Sequence, residues 1–201
     1  KYYEHKYKQN AYVFNITHKN KHNGIALERF FPNGPLAILP MRKNTRSDPN
    51  RSSVVWTVDN NLGDFTKIDQ GEFLREFSYR YNEFFGRLLH LSKPSVYPLN
   101  LIYAYEIISE KIVLVGDAAQ GIHPIAGQGF NLGLRDCKIL KDLVLDAKLT
   151  GQPISSSLLL NKYQTQRTLD RRLFIEATDK LNKKISNNFN TIKLVRKFGL
   201  R

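Results

Sequence analysis

The chain has 201 residues, 41% of them apolar, enough to bury the core of one sizeable domain or two small ones. No stretch approaches the roughly 18 consecutive apolar residues of a membrane-spanning helix, and a single cysteine, Cys137, excludes an intrachain disulfide. The 31 Lys and Arg against 18 Asp and Glu give a charge of +13, which suits anionic lipid, an acidic partner or nucleic acid.

The basic residues are scattered and no nucleic-acid-binding module is recognisable, so no nucleic-acid partner is expected. No Cys/His cluster has zinc-ligand spacing, and the expectation is a metal-free fold in a reducing compartment. The chain starts at Lys1 without an initiator methionine or a targeting pattern, and reads as a cut through a longer protein.

From Ala11 to Trp56 short β-like runs alternate with turn chemistry: Ala11 to Thr17, Asn23-Gly24, Ile25 to Phe31, Asn33-Gly34-Pro35, Leu36 to Met41, and later Ser53 to Val58. This predicts an antiparallel sheet with Asn-Gly hairpin connections and an exposed polar loop over Arg42 to Arg51. Phe73, Phe77, Phe84, Leu88 and Leu91 recur at helical spacing, so a helix capped by Asp69 is expected through Leu91, its aromatic stripe serving as core. Ser95 to Ile108 alternates at period two, a strand able to cross between sub-structures. Ile112 to Val115 reads as a strand buried on both faces. Helices are expected from Gly129 to about Lys148, from Ser155 to Ile185, and over the basic end from Asn187.

The chemistry-bearing segment runs from Val113 to Asp136: strand, Gly116-Asp117, a glycine-rich loop from Pro124 to Gly129, then helix. Gly116 lets a ligand approach the backbone, and Asp117 can accept hydrogen bonds from ribityl or ribose hydroxyls. The loop feeds a helix N-terminus, whose unpaired N–H groups and dipole stabilise an anion or a polarised carbonyl, such as the N1/O2 edge of a reduced flavin. Taken singly, Gly127 and Gly129 suit a tight turn and Asp117 a cap or ion pair.

Together, the spacing G-D-A-A-x-x-x-x-P-x-x-G-x-G-x-N-x-G-x-x-D resembles the second FAD-binding motif of the para-hydroxybenzoate hydroxylase fold. Within it, His123 to Asp136 is similar to the ubiquinone-biosynthesis hydroxylases, and Gln120, where many relatives carry His, is the form of the 2-polyprenyl-6-methoxyphenol hydroxylase branch. His22-Asn-Gly, Glu28-Arg-Phe and Gly34 to Pro40 look like that family's substrate-side sheet. Tyr163, Arg167, Arg171, Thr178-Asp179 and Gly199-Leu200 match its C-terminal helical pattern.

The resemblance implies an α/β (α+β) fold: an antiparallel substrate-side sheet and helix over 1–108, the second FAD motif over 109–150 and a helical region over 151–201. FAD would be held by Gly116, Asp117, Pro124, Gly127, Gln128, Gly129, Phe130 and Asn131, with Asp117 on the ribityl chain, Pro124 beside the isoalloxazine, and N–H groups near Phe130 and Asn131 at its O2/N1 edge. Phe30, Leu39 and Pro40 would face the substrate, a polyprenylphenol hydroxylated with dioxygen through a C4a-hydroperoxyflavin; no catalytic side chain is identified. Electrons would come from NAD(P)H or a protein donor.

The family's N-terminal dinucleotide-binding unit with G-x-G-x-x-G is missing, which leaves the Ile112 to Val115 strand a partly exposed edge and the isolated chain inactive. Expected partners are therefore that N-terminal half, an anionic membrane surface and an assembly of ubiquinone-biosynthesis proteins. The expected location is cytoplasmic, peripheral on the inner face of a bacterial or mitochondrial inner membrane. An inactive gene remnant and a non-catalytic basic module for membranes or assemblies stay open as alternatives. His5, His18, His22 and His90 are expected at the surface or as caps, Cys137 as a packed small hydrophobe, and His123 is better placed but without an assigned role.

Overall fold

The computed structural model describes residues 1–42, 49–63, 65, 67–124 and 127–186. Most of the Arg42 to Arg51 loop, the middle of the Pro124 to Gly129 loop, and the segment from 187 with Gly199-Leu200 lie outside the described residues. Lys8–Leu99 pack as one unit, and Lys1–Tyr7 with Asn100–Lys184 as another. Strands β1 (Tyr2–His18) and β6 (Ser95–Ala104) contribute residues to both.

The first unit is an antiparallel sheet of β2 (Leu27–Phe31), β3 (Gly34–Pro40) and β4 (Asn50–Asp59) continuing onto β1, with β5 (Leu88–Leu91) also pairing with β1. The Asn23-Gly24 turn precedes β2 with both residues at positive φ (51° and 76°), but it is not the expected hairpin, because β3 and β4 lie between β1 and β2 in the sheet; the Asn33-Gly34 turn does join neighbours, β2 and β3. Period-two alternation sorts the faces: Phe14 opposite Val54, Tyr12 opposite Trp56 and Ile38 opposite Val54 all lie on one side and are buried. Helix α1 (Gln70–Tyr81) covers that side with Phe73, Phe77 and Tyr81, spaced by four. Phe14 meets Phe73 and Phe77 edge-on at 5.4 and 5.0 Å, a favoured aromatic geometry. Asp69 is the N-cap, its Oδ1 accepting from Glu72 N–H at 2.9 Å.

Two further expectations fail in this unit. The helix stops at Tyr81 instead of Leu91, because Asn82 and Glu83 take left-handed φ values (49° and 48°) and the Asn82 N–H closes on Ser78 O. Leu88 to Leu91 then continues as β5, so Leu91 reaches the core from a strand while Phe84 is left half exposed. His18, expected at the surface or as a cap, is buried: its Nε2 bonds Ser52 Oγ at 3.0 Å and its Nδ1 bonds Asn20 O at 2.8 Å. Burial lowers its pKa.

In the second unit, the end of β6 pairs with β9 (Gln120–Gly121), and β7 (Ile108–Ser109) forms a small hairpin with β8 (Ile112–Val113). The Ile112 to Val115 run is therefore not a strand buried on both faces: only two residues pair, and Ile112 is 62% exposed. Helices α2 (Gly129–Leu149) and α3 (Ser157–Ser186) fall where the periodicity predicts. Ile107, Ala119 and Tyr163 form one apolar cluster with Leu114 and Leu140, and Ala147, Leu159 and Leu160 form another.

Candidate cofactor site

The site lies within the second unit, at the turn after β8. Val115 is extended, and the chain then makes a tight 3-10 turn over Gly116–Ala118 with Gly116 at φ +61°. L side chains rarely adopt that conformation. The Gly116 N–H donates to Asp136 Oδ2 at 2.8 Å, so the turn is pinned to α2. Further along, Gly127 at φ +59° donates its N–H to Pro124 O at 2.9 Å, closing the loop that delivers the chain into α2. Gln128 at the N-cap gives no side-chain cap bond, and the first N–H groups of α2 form the positive end of a 21-residue helix.

Turn, loop and helix enclose an open cavity of about 730 Å³. Of the eight residues predicted to hold a cofactor, Gly116, Asp117, Pro124, Gly127, Gly129 and Phe130 line it. Gln128 and Asn131 do not, their side chains bonding each other at 3.1 Å. Asp117 and Pro124 are exposed.

Cys137 also lines this cavity and is exposed, contrary to the expectation of a packed thiol. Helix phase explains it: Leu132, Asp136 and Ala147 take the buried stripe of α2. Phe130, Leu134 and Cys137, at i, i+4 and i+7, take the open one. Phe130 is 76% exposed. The substrate candidates belong to the other unit. Phe30 pairs with Pro35, and Leu39 with Ser53, on the sheet face opposite the aromatic core, whereas Pro40, opposite Ser52, falls in the core-side register.

Behind the turn lies a buried polar network that sequence reasoning missed. Asp136, fully buried, accepts from Gly116 N–H, from Gln120 Nε2 at 3.0 Å, and through Oδ1 from Arg167 Nε at 2.5 Å. Arg167 also bonds Asp170, and its Nη2 is buried without a hydrogen-bond partner among the described residues. Arg171 donates to Gln120 Oε1 at 2.6 Å and to the carbonyls of Ala104 and Ala119 at 2.9 Å each. Tyr163 donates to Leu114 O at 3.1 Å; burial, then the Asp136 charge, pushes its hydroxyl up to about 12. The available signal was a carboxylate on the buried stripe of α2 and two arginines one turn apart on α3.

His123 precedes Pro124, is fully buried, and meets the Tyr7 ring edge-on at 5.0 Å, while the Tyr7 hydroxyl donates to Asp179 at 3.2 Å. Burial holds the imidazole at about 4, against a smaller upward pull from Asp179. Burial likewise raises the Tyr7 hydroxyl.

The arrangement fits the flavin-side part of FAD: a glycine turn open to a close ligand, an exposed carboxylate for hydroxyls, and a helix start for an electron-rich edge. The G-x-G-x-x-G motif for the pyrophosphate does not occur in this sequence. Among the described residues no group of three or more His, Cys, Asp or Glu could hold a metal ion, and no helix is long and apolar enough to cross a membrane.

A family model described as FAD binding domain matches residues 6–177. The chain is 35% identical over 195 residues to a ubiquinone hydroxylase, UbiL, of Rhodospirillum rubrum, covering 96% of this chain and 44% of that protein. It is 28% identical to the 3-demethoxyubiquinol 3-hydroxylase of Escherichia coli (96% and 48%), and 27% identical to the human mitochondrial ubiquinone biosynthesis monooxygenase COQ6 (89% and 44%). The chain spans just under half the length of these relatives. Among solved structures, PqsL of Pseudomonas aeruginosa superposes with a TM-score of 0.70 at 19% identity, over 92% of this chain and 50% of that one. The p-nitrophenol 4-monooxygenase PnpA of Pseudomonas putida gives 0.68 at 17%, over 96% and 48%. The fold is that of flavin monooxygenases of the para-hydroxybenzoate hydroxylase type.

Proposed function

The chain belongs to the FAD binding domain family, and from that premise we propose that it is the C-terminal part of a flavin-dependent monooxygenase that hydroxylates a polyprenylated phenol of ubiquinone biosynthesis. One observation carries the reading: the Gly116-Asp117 turn and the start of α2 converge on one open cavity, with the intervening glycine loop on its wall. The similarity to ubiquinone-pathway hydroxylases supports the substrate class. The division into a substrate-side region over 1–108, the cofactor motif over 109–150 and helices over 151–201 belongs to this reading.

FAD, when bound and reduced, supplies the activation of dioxygen. The chain's own residues bind and orient. Asp117 would accept hydrogen bonds from the ribityl hydroxyls, and Gly116 and Gly127 keep side chains out of the approach. Pro124, on the cavity wall, would lie beside the flavin ring, while Gln128 and Asn131 are bonded to each other at the first turn of α2. The N–H groups of Phe130 and Asn131, in the first turn of α2, would serve its electron-rich edge. Asp136 fixes the Gly116 N–H, so the turn is held before any ligand arrives. Phe30, Leu39 and Pro40 are the substrate-side candidates, and NAD(P)H or a protein donor is the reductant. The +13 charge suits docking on the inner face of an anionic membrane, where a polyprenyl substrate dissolves, and contact with other proteins of the pathway.

The test is reconstitution with the N-terminal half from the same genome. The pair, given FAD, NADPH and a short-chain polyprenylphenol under ¹⁸O₂, should place one labelled oxygen on the ring. A pair that binds FAD but leaves the phenol unlabelled contradicts the substrate assignment. A pair that binds no FAD contradicts the whole reading and favours a remnant or a non-catalytic module.

A further inference from the structure

A second cavity in the same unit, of about 370 Å³, shares no lining residue with the cofactor cavity. Its volume falls in the range of small-molecule clefts. One wall is aromatic: Tyr103, at the end of β6, stacks on Tyr3 at 5.1 Å and meets Tyr105 edge-on at 5.7 Å, and Tyr105 is 58% exposed. The other wall is α3, with Arg171, Arg172, Ile175 and Glu176.

The charge on this wall is positive. Arg171 is buried, and its hydrogen bonds go to neutral acceptors, Gln120 Oε1 and two backbone carbonyls. The nearest carboxylate behind it, Asp136, is bonded directly to Arg167. Glu176 is flanked by Arg172 Nε at 3.0 Å and Lys180 Nζ at 3.4 Å, which lower its pKa and answer its charge along the helix. Arg171 and Arg172 against Glu176 leave the lining of the groove net positive, with tyrosine rings on the facing wall. Rings of this kind accept a second ring by stacking, and guanidinium groups accept carboxylate or phosphate.

We propose that this groove binds a small molecule carrying a flat ring and an anionic group, with the ring against Tyr103 and Tyr105 and the anion at Arg171 and Arg172. The groove is wired to the cofactor turn by three consecutive hydrogen bonds: Arg171 Nε to Gln120 Oε1 (2.6 Å), Gln120 Nε2 to Asp136 Oδ2 (3.0 Å), and Gly116 N–H to the same oxygen (2.8 Å). A ligand that draws on Arg171 is thereby felt at Gly116, on the lip of the other cavity. Both cavities and the bonds between them exist in the chain itself, so this inference stands whether or not the flavin reading does.

The test is a titration of the full ¹⁵N-labelled chain with phenyl phosphate, followed through backbone amides, with inorganic phosphate and phenol as separate arms. Phenyl phosphate should shift Tyr103, Tyr105, Arg171 and Gly116 along one saturable curve. Inorganic phosphate, lacking the ring, should bind about ten-fold more weakly. Arg172 and Tyr105 are exposed, so Arg172→Ala and Tyr105→Ala should leave the fold intact and each weaken phenyl phosphate about three- to ten-fold. Absence of a saturable shift at millimolar ligand, equal binding of inorganic phosphate, or binding unchanged by Arg172→Ala overturns the site. Saturation at the groove with Gly116 unmoved overturns the wiring.

Discussion

In the unit of Lys8–Leu99 the interior is a stack of aromatic rings: Tyr12, Phe14, Trp56, Phe73 and Phe77 touch one another at centroid distances of 5.0 to 6.3 Å. In the unit that carries the glycine loop the interior includes Asp136, Arg167, Arg171, Gln120 and His123, all buried. Aromatic packing is non-directional enough to tolerate rearrangement, whereas a buried carboxylate serving three donors fixes the backbone that supplies them. The unit that carries the proposed cofactor turn is the one built on directional bonds. Buried charge is a weak source of net stability, so its presence behind the Gly116 turn points to positioning.

Cutting one member from each core sharpens this contrast most. Asp136→Ala leaves Arg167 without its buried carboxylate and frees the Gly116 N–H, which should cost about 3–5 kcal/mol and weaken cofactor binding as well. Phe77→Ala should cost a similar amount, about 3–5 kcal/mol, by opening a cavity in the aromatic stack, yet leave the affinity of the folded protein for flavin unchanged. Urea unfolding of the chain gives the first quantity, and flavin titration of each variant mixed with the N-terminal half gives the second. Equal loss of flavin affinity in both variants would break the comparison.

Acidification should act next. His123 stays neutral in the fold until about pH 4, while in the unfolded chain it protonates near its ordinary 6.5. The unfolded state therefore binds more protons between these values. The stabilisation from keeping His123 neutral is complete above about 6.5 and declines as pH falls towards 4, by up to about 3 kcal/mol. His18, also lowered, acts in the same direction. A series of melts should show His123→Gln with a shallower pH slope than the parent, and an unchanged slope would contradict the assignment. The smallest effect belongs to the other unit: Asp69→Ala removes the cap on Glu72 N–H and should lower the urea midpoint by less than any of the variants above.

Local chemistry was readable from the sequence where a residue acts on its immediate neighbours. Asn23-Gly24 marks a turn, Asp69 a cap, and Gly116-Asp117 a tight glycine turn after the strand, because each depends on φ preferences or hydrogen bonds within a few positions. The end of α1 was not readable, since Phe84 and Leu91 happen to continue its spacing although Asn82 reverses the chain. The burial of His18 is settled by Ser52, 34 positions away, and the burial of Asp136 by Arg167, 31 positions away. Cys137 was misplaced for a related reason: the buried stripe of α2 includes a carboxylate, so hydrophobicity alone selects the wrong face.

The central claim is that Gly116, Asp117 and the start of α2 form the flavin-side half of an FAD site. Equilibrium dialysis and flavin fluorescence on this chain, alone and mixed with the separately expressed N-terminal half, test it most directly. FAD should bind to the mixture and not to the chain alone, and Asp117→Ala should abolish that binding. FAD binding by neither preparation, or binding by the mixture that survives Asp117→Ala unchanged, would contradict it.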